Sequence, residues 1–136
     1  MTGRELLKSI HNRRMELSAL KDSVIEIETR LTRISPVLSD MPKASGNTDK
    51  MTDGVSKMLE IKEKLERKIG ETAGYELTAM EMIDQLQEPI HRTILYRMYI
   101  LDEPLQEVAD NINYTYNYTC SLHGFALNEI DALETS

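Results

Sequence analysis

Between residues 115 and 121 the chain sets Thr115, Tyr116, Asn117, Tyr118 and Ser121 close together, a run of hydroxyl and amide groups with no cation among them. Such groups recognise surfaces. An Asn amide can read an adenine edge in a major groove, and hydroxyls bond phosphate oxygens. Arg92 and Arg97 are the nearest cations and would touch phosphate from the flank, which makes these seven residues the candidate nucleic-acid contacts. The competing use of either arginine is a solvated face or an ion pair with Glu88 or Asp102. Groups suited to catalysis or metal binding are dispersed. His11, His91 and His123 fall in three separate segments without a carboxylate or thiol at ligand spacing, and Cys120 is the single cysteine. No phosphate-binding glycine loop and no nucleophile elbow occurs, so the expectation is a protein that is not an enzyme and takes neither cofactor nor metal. His123 either contacts DNA or packs against the preceding helix.

The charge pattern works against nucleic acid. All 16 basic residues lie at or before Arg97, where they meet an equal number of acidic ones, so the formal charge of −7 belongs to the last 39 residues of the 136. There Asp102, Glu103, Glu107, Asp110, Glu129, Asp131 and Glu134 have no basic neighbour in sequence. DNA readers usually take most of their affinity from Lys and Arg on phosphates, and this segment lacks the steering that a basic patch supplies.

The elements that must position these groups are helical. In residues 4–34 a seven-residue repeat places Ile10, Leu17, Val24 and Leu31 at one seam position and Leu6, Leu20, Ile27 and Ile34 at the other, with Arg13 as the break. That spacing predicts a helix roughly 45 Å long with a coiled-coil seam. Ser35-Pro36 should end it, and a loop through Asn47 should precede a second helix capped by Thr48 or Asp49 and running to about Gln87. Its seam, Met51, Val55, Met58, Leu65, Ile69, Ala79, Ile83 and Leu86, is broken by Lys62, Thr72 and Glu76. Gly70 and Gly74 mark either a bend or the close approach of another helix. Residues 1–87 thus read as a long antiparallel helical hairpin, a coiled coil that pairs with a second copy into a four-helix bundle, with Ile10, Leu17, Leu20, Val24, Ile27 and Leu31 as the candidate interface. No apolar run reaches membrane-span length, and the first residues lack the apolar core of a signal peptide; cytoplasm is the expected location.

Residues 88–136 read as three helices. Pro89 opens the first, lined by Ile90, Ile94, Leu95, Met98 and Tyr99. Asp102 or Glu103 is placed to cap the second, which buries Leu105, Val108, Ala109 and Ile112. After a turn at Asn113-Tyr114, Thr115 caps the third, with Thr119, Leu122, Ala126, Leu127 and Ile130 at helical spacing. Tyr114 is expected inward, Tyr116 and Tyr118 outward. A short helix, a tight turn and a longer helix make a helix-turn-helix.

Glu107-Val108-Ala109, Thr115 as cap and the pair Ala126-Leu127 resemble region 4 of sigma-70 factors. With Leu38-Ser-Asp-Met-Pro42, Asp49-Lys-Met51, Tyr96-Arg-Met-Tyr99 and Leu122-His-Gly124, most of the chain is similar to small proteins of phages and prophages of Gram-positive bacteria, which join a coiled-coil hairpin to a region 4-like domain. The resemblance implies an all-α fold and a dimeric phage transcription regulator akin to the RinA-type and ArpU-type proteins, acting on promoter DNA in the bacterial host cytoplasm. Where that family carries Arg or Lys after the cap, this chain has Tyr116, Asn117, Tyr118, Cys120 and Ser121. Two alternatives stand beside it. One is a protein-interaction module whose helix-turn-helix has lost DNA and presents Tyr116, Tyr118 and Phe125 to RNA polymerase or another phage protein. The other is a small packaging or assembly subunit.

Overall fold

The computed structural model describes residues 1–39 and 45–133, leaving aside the side chains of residues 34–52. Every regular element among the described residues is helical: α1 Gly3–Ser39, α2 Ser45–Asp84, α3 Pro89–Leu95 continuing into a π-helical turn Tyr96–Ile100, α4 Leu105–Ile112 and α5 Tyr116–Leu133. None of the helices described is long and apolar enough to cross a membrane.

The start of α1 is fixed by a capping box. The Glu5 N–H donates to Thr2 Oγ1 and the Thr2 N–H donates to Glu5 Oε2, both at 3.1 Å, which satisfies two donors that a helix start leaves open. The end differs from expectation, since α1 runs through Pro36 to Ser39 and α2 already begins at Ser45. A proline one turn from a helix end forfeits only its own donor, so the helix is not forced to stop there. The Leu38-to-Pro42 motif lies partly outside the described residues. Gly70 and Gly74 sit inside an uninterrupted α2, and a Cβ added at either meets nothing within 4 Å, so within the chain neither serves a close approach.

The chain forms two compact units. Residues 15–71 make one, and residues 1–14 with 72–136 make the other. The division expected at residue 87 therefore falls elsewhere, because the first turns of α1 and the last turns of α2 share a core with the later helices. In that core Leu6, Leu7 and Ile10 pack with Ala79, Ile83 and Leu86, with Leu95, and with Ala126 and Ile130. Approach is closest at Gly3, where a Cβ would lie 2.9 Å from Ile130 Cγ1 and 3.1 Å from the Ile130 carbonyl oxygen. A second cluster, Ile94, Val108 and Leu122, gathers Ile90, Met98, Leu105 and Ile112 around it.

The polar breaks in the seams find partners. Arg13 stacks its guanidinium 4.2 Å from the centre of the Tyr75 ring, and Arg14 Nε donates to Glu76 at 2.9 Å. In the other unit Lys62 pairs with Glu28, and Lys68 with Glu16. Rising numbers on α2 meet falling numbers on α1, so the two segments of this unit run antiparallel; Gly54 admits Leu31, whose Cδ2 would lie 3.4 Å from an added Cβ. Of the residues expected to join two chains, Ile10 is fully buried in its own chain and Val24 nearly so, which removes Ile10 as a contact between chains. Leu17, Leu20 and Leu31 are half-buried, and Ile27 is exposed.

Leu7 lies off both seam positions of the heptad reading, yet it is 0 % exposed, whereas Ile25 is 62 % exposed. Leu7→Ala is expected to lower unfolding free energy by about 2 to 5 kcal/mol, and Ile25→Ala by no more than about 0.5 kcal/mol in the single chain. Urea titration followed by circular dichroism distinguishes the two.

Candidate interaction surface on the fifth helix

The turn ahead of α5 is built from an asparagine that tolerates a left-handed backbone. Asn113, at φ 63 and ψ 37, ends α4, and the Tyr114 N–H returns to the Ala109 carbonyl at 3.1 Å. Thr115 then caps α5: its Oγ1 accepts the Tyr118 N–H at 3.2 Å. Its carbonyl accepts the Thr119 hydroxyl at 2.8 Å, which is how a threonine can be fully buried without an orphaned polar atom. Leu122, Ala126 and Ile130 follow Thr119 inward, as the spacing predicts, and Leu127 is partly buried. Ahead of α4 the expectation fails, because Pro104 occupies the N-cap position without a side-chain cap bond. Glu103 instead accepts from Arg97 and from the Asn111 amide, and Asp102 takes a positive φ of 58.

This burial turns Tyr116, Asn117, Tyr118 and Ser121 to solvent, beside Thr115. Tyr114 is 44 % exposed, contrary to the inward expectation, and meets Tyr118 edge to face with ring centres 5.2 Å apart. Phe125 is also open. A hydrogen bond with the Cys120 thiol, reinforced by charge interaction with that same group and by slight burial, raises the Tyr116 phenol above its ordinary value. The face therefore offers neutral donors, neutral acceptors and aromatic area.

The two flanking arginines are committed elsewhere. Arg92 Nη1 donates to the Leu86 carbonyl at 2.6 Å and to that of Gln87 at 3.3 Å, closing the carbonyl end left by α2. Arg97 pairs with Glu103 at 3.0 Å, not with Asp102. Neither is placed as a free phosphate contact. Among the described residues no group of three His, Cys, Asp or Glu side chains gathers as a metal site would require.

Residues 32–131 match the family described as a protein of unknown function, DUF1492. The chain belongs to that family. No curated protein and no solved structure matches it.

In this DUF1492 protein the acidic C-terminal segment is partly neutralised by residues far away in sequence. Arg4 Nε pairs with Asp131 at 3.0 Å, and its Nη2 donates to Asn128 at 2.8 Å. Arg14 donates to the carbonyls of Tyr99 and Ile100, at 2.7 Å for the latter, holding the end of the π-helical turn. His91 Nδ1 lies 2.5 Å from Glu129 Oε2, tying α3 to α5. His123 Nε2 lies 2.9 Å from the Tyr99 hydroxyl in a stacked arrangement, so its role is packing. Burial, helped by the charge of Arg4, lowers the His123 imidazole below its ordinary value, and burial raises the Tyr99 phenol. Sequence reasoning missed Arg4 and Arg14 because partners more than 80 residues apart leave no local spacing.

Burial by itself would raise the Glu129 carboxyl. The hydrogen bond from His91, the backbone N–H groups of Gln87 and Glu88, and the charge of His91 outweigh it and hold the group below 4.5. A carboxylate lowered on folding stabilises the fold fully above its unfolded value, and that contribution disappears as pH falls through the folded value. Thermal unfolding measured from pH 7 to pH 3 should therefore show a loss of stability beginning at about 4.5. In Glu129→Gln the chain should be less stable at pH 7 and show a shallower acid decline.

Proposed function

We propose that this chain is a phage or prophage transcription regulator, acting in the cytoplasm of a bacterial host. In this reading α4, the turn at residues 113–115 and α5 form a sigma-70 region 4-like helix-turn-helix that engages promoter DNA. The observation that carries the proposal is the left-handed stop at Asn113, followed by the Thr115 cap and an α5 whose buried face leaves Tyr116, Asn117, Tyr118 and Ser121 outward. Resemblance to phage regulators in the motifs around Glu107, Thr115 and Ala126 supports the same reading. Asn117 would read base edges, while the hydroxyls of Thr115, Tyr116, Tyr118 and Ser121 would bond phosphate. Arg92 and Arg97 take no part in it.

A second reading is favoured by the aromatic content of the same face. Tyr114, Tyr118 and Phe125 are exposed at 44, 53 and 58 %, and exposed aromatics without cations suit a protein partner, such as RNA polymerase or another phage protein.

Fluorescence anisotropy against phage promoter fragments separates the two. Binding at low salt with a shallow salt dependence is expected, since few cations release counter-ions. Asn117→Ala combined with Ser121→Ala should weaken the preferred sequence by about tenfold or more. No binding at low salt would overturn the DNA reading. Retention of polymerase by the wild type, lost in Tyr118→Ala, would establish the other.

A further inference from the structure

Residues 15–71 bury little of their own apolar surface. Val24 and Met58 are nearly closed off from water, whereas Ile25, Val55, Leu59 and Ile69 remain 62, 43, 56 and 43 % exposed. Two grooves share Glu28 and Thr32 as lining. One of about 300 Å³ includes Val55 and Leu59, the other of about 260 Å³ includes Ile25, so the open surface is continuous across both helices. Monomeric proteins rarely leave a contiguous apolar patch of more than a few hundred Å² without a partner.

The order of side chains along α2 identifies that partner. Leu59, Lys62, Glu66 and Ile69 fall on one stripe, at spacings of three, four and three. A two-fold axis crossing the helix between Lys62 and Glu66 exchanges Leu59 with Ile69 and Lys62 with Glu66. The stripe is thus complementary to itself, apolar meeting apolar and cation meeting anion. Glu66 is exposed. Net charge agrees: residues 15–71 hold 10 basic and 11 acidic groups, whereas the rest of the chain holds 6 and 12 and repels its own copy.

We infer that a second copy of this chain docks on α2 in antiparallel register, with Leu59 against Ile69 and Lys62 against Glu66 of the second copy. The interface is the α2 stripe, with the adjoining Ile25 groove, and not the α1 seam. It stands independently of what α5 recognises, because DNA or polymerase binding by α5 can be measured whatever the outcome here.

Sedimentation equilibrium of the full chain should give twice its mass of 15.6 kDa. Lys62→Glu and Glu66→Lys each set like charges opposite one another and should weaken self-association by about tenfold or more. The double reversal, Lys62→Glu with Glu66→Lys, should restore it. Because that double variant still lacks the internal Lys62–Glu28 pair, restoration reports the contact between copies. Leu59→Glu should give a monomer whose far-ultraviolet circular dichroism stays helical; if it unfolds instead, a wild-type melting temperature that rises with protein concentration carries the same information. A monomer at all concentrations, a ring of many copies, a dimer indifferent to these changes, or a double variant as weak as the singles would each overturn the inference.

Discussion

Leu6, Leu7 and Ile10 lie against Ala79, Ile83, Ala126 and Ile130, and the placement of the functional face follows from that contact. Aliphatic side chains closed off from water hold the first turns of α1 to α5, and the absence of a side chain at Gly3 allows the backbones to come near enough for it. Once that side of α5 is occupied, the remaining side is fixed by helical geometry. Tyr116, Asn117, Tyr118 and Ser121 face outward because Thr119, Leu122, Ala126 and Ile130 do not.

The same contact changes the electrostatics of the C-terminal segment. Read along the chain, that segment is a run of carboxylates without counter-charges. In space Arg4 reaches Asp131, His91 reaches Glu129, and Arg97 reaches Glu103. These pairs lower the local repulsion, but they also use the cations. What is left on α5 is a neutral polar and aromatic face in a unit that remains acidic overall. A partner reading that face must gain its affinity from geometry and aromatic contact more than from charge, which is why a promoter and a protein both remain chemically reasonable occupants.

Much of the helical layout was legible because helices announce themselves locally. The burial of Val108, Ala109, Thr119, Leu122, Ala126 and Ile130 follows from spacing alone, and Thr115 as cap from residue type. Thr2 and Glu5 also spelled a capping box three residues apart, a signal that was present and not used. Other features had no local signature. Leu7 falls off the heptad, and the reason for its burial lies in residues from 79 onward. Arg13 and Glu76, which look like defects in the seams, are answered by Tyr75 and Arg14 on the facing helix. Tyr114 was expected inward from alternation, but its edge-to-face contact with Tyr118 gives it an apolar neighbour while it stays at the surface.

The π-helical turn at Tyr96–Ile100 shows how strictly the spacing of this region is set. Its wider winding, with the Leu101 N–H returning to the Tyr96 carbonyl, accommodates one more residue than an ordinary helical turn would. Arg14 grips the carbonyls at its end, and Tyr99 reaches His123 from within it. Deleting a single residue here would restore regular winding, but it would swing all that follows by about 100° around the helix axis and carry Tyr99 away from α5. Chain length in this stretch is therefore as much a determinant of the fold as residue identity, and relatives that keep the architecture should tolerate substitutions here far better than insertions or deletions.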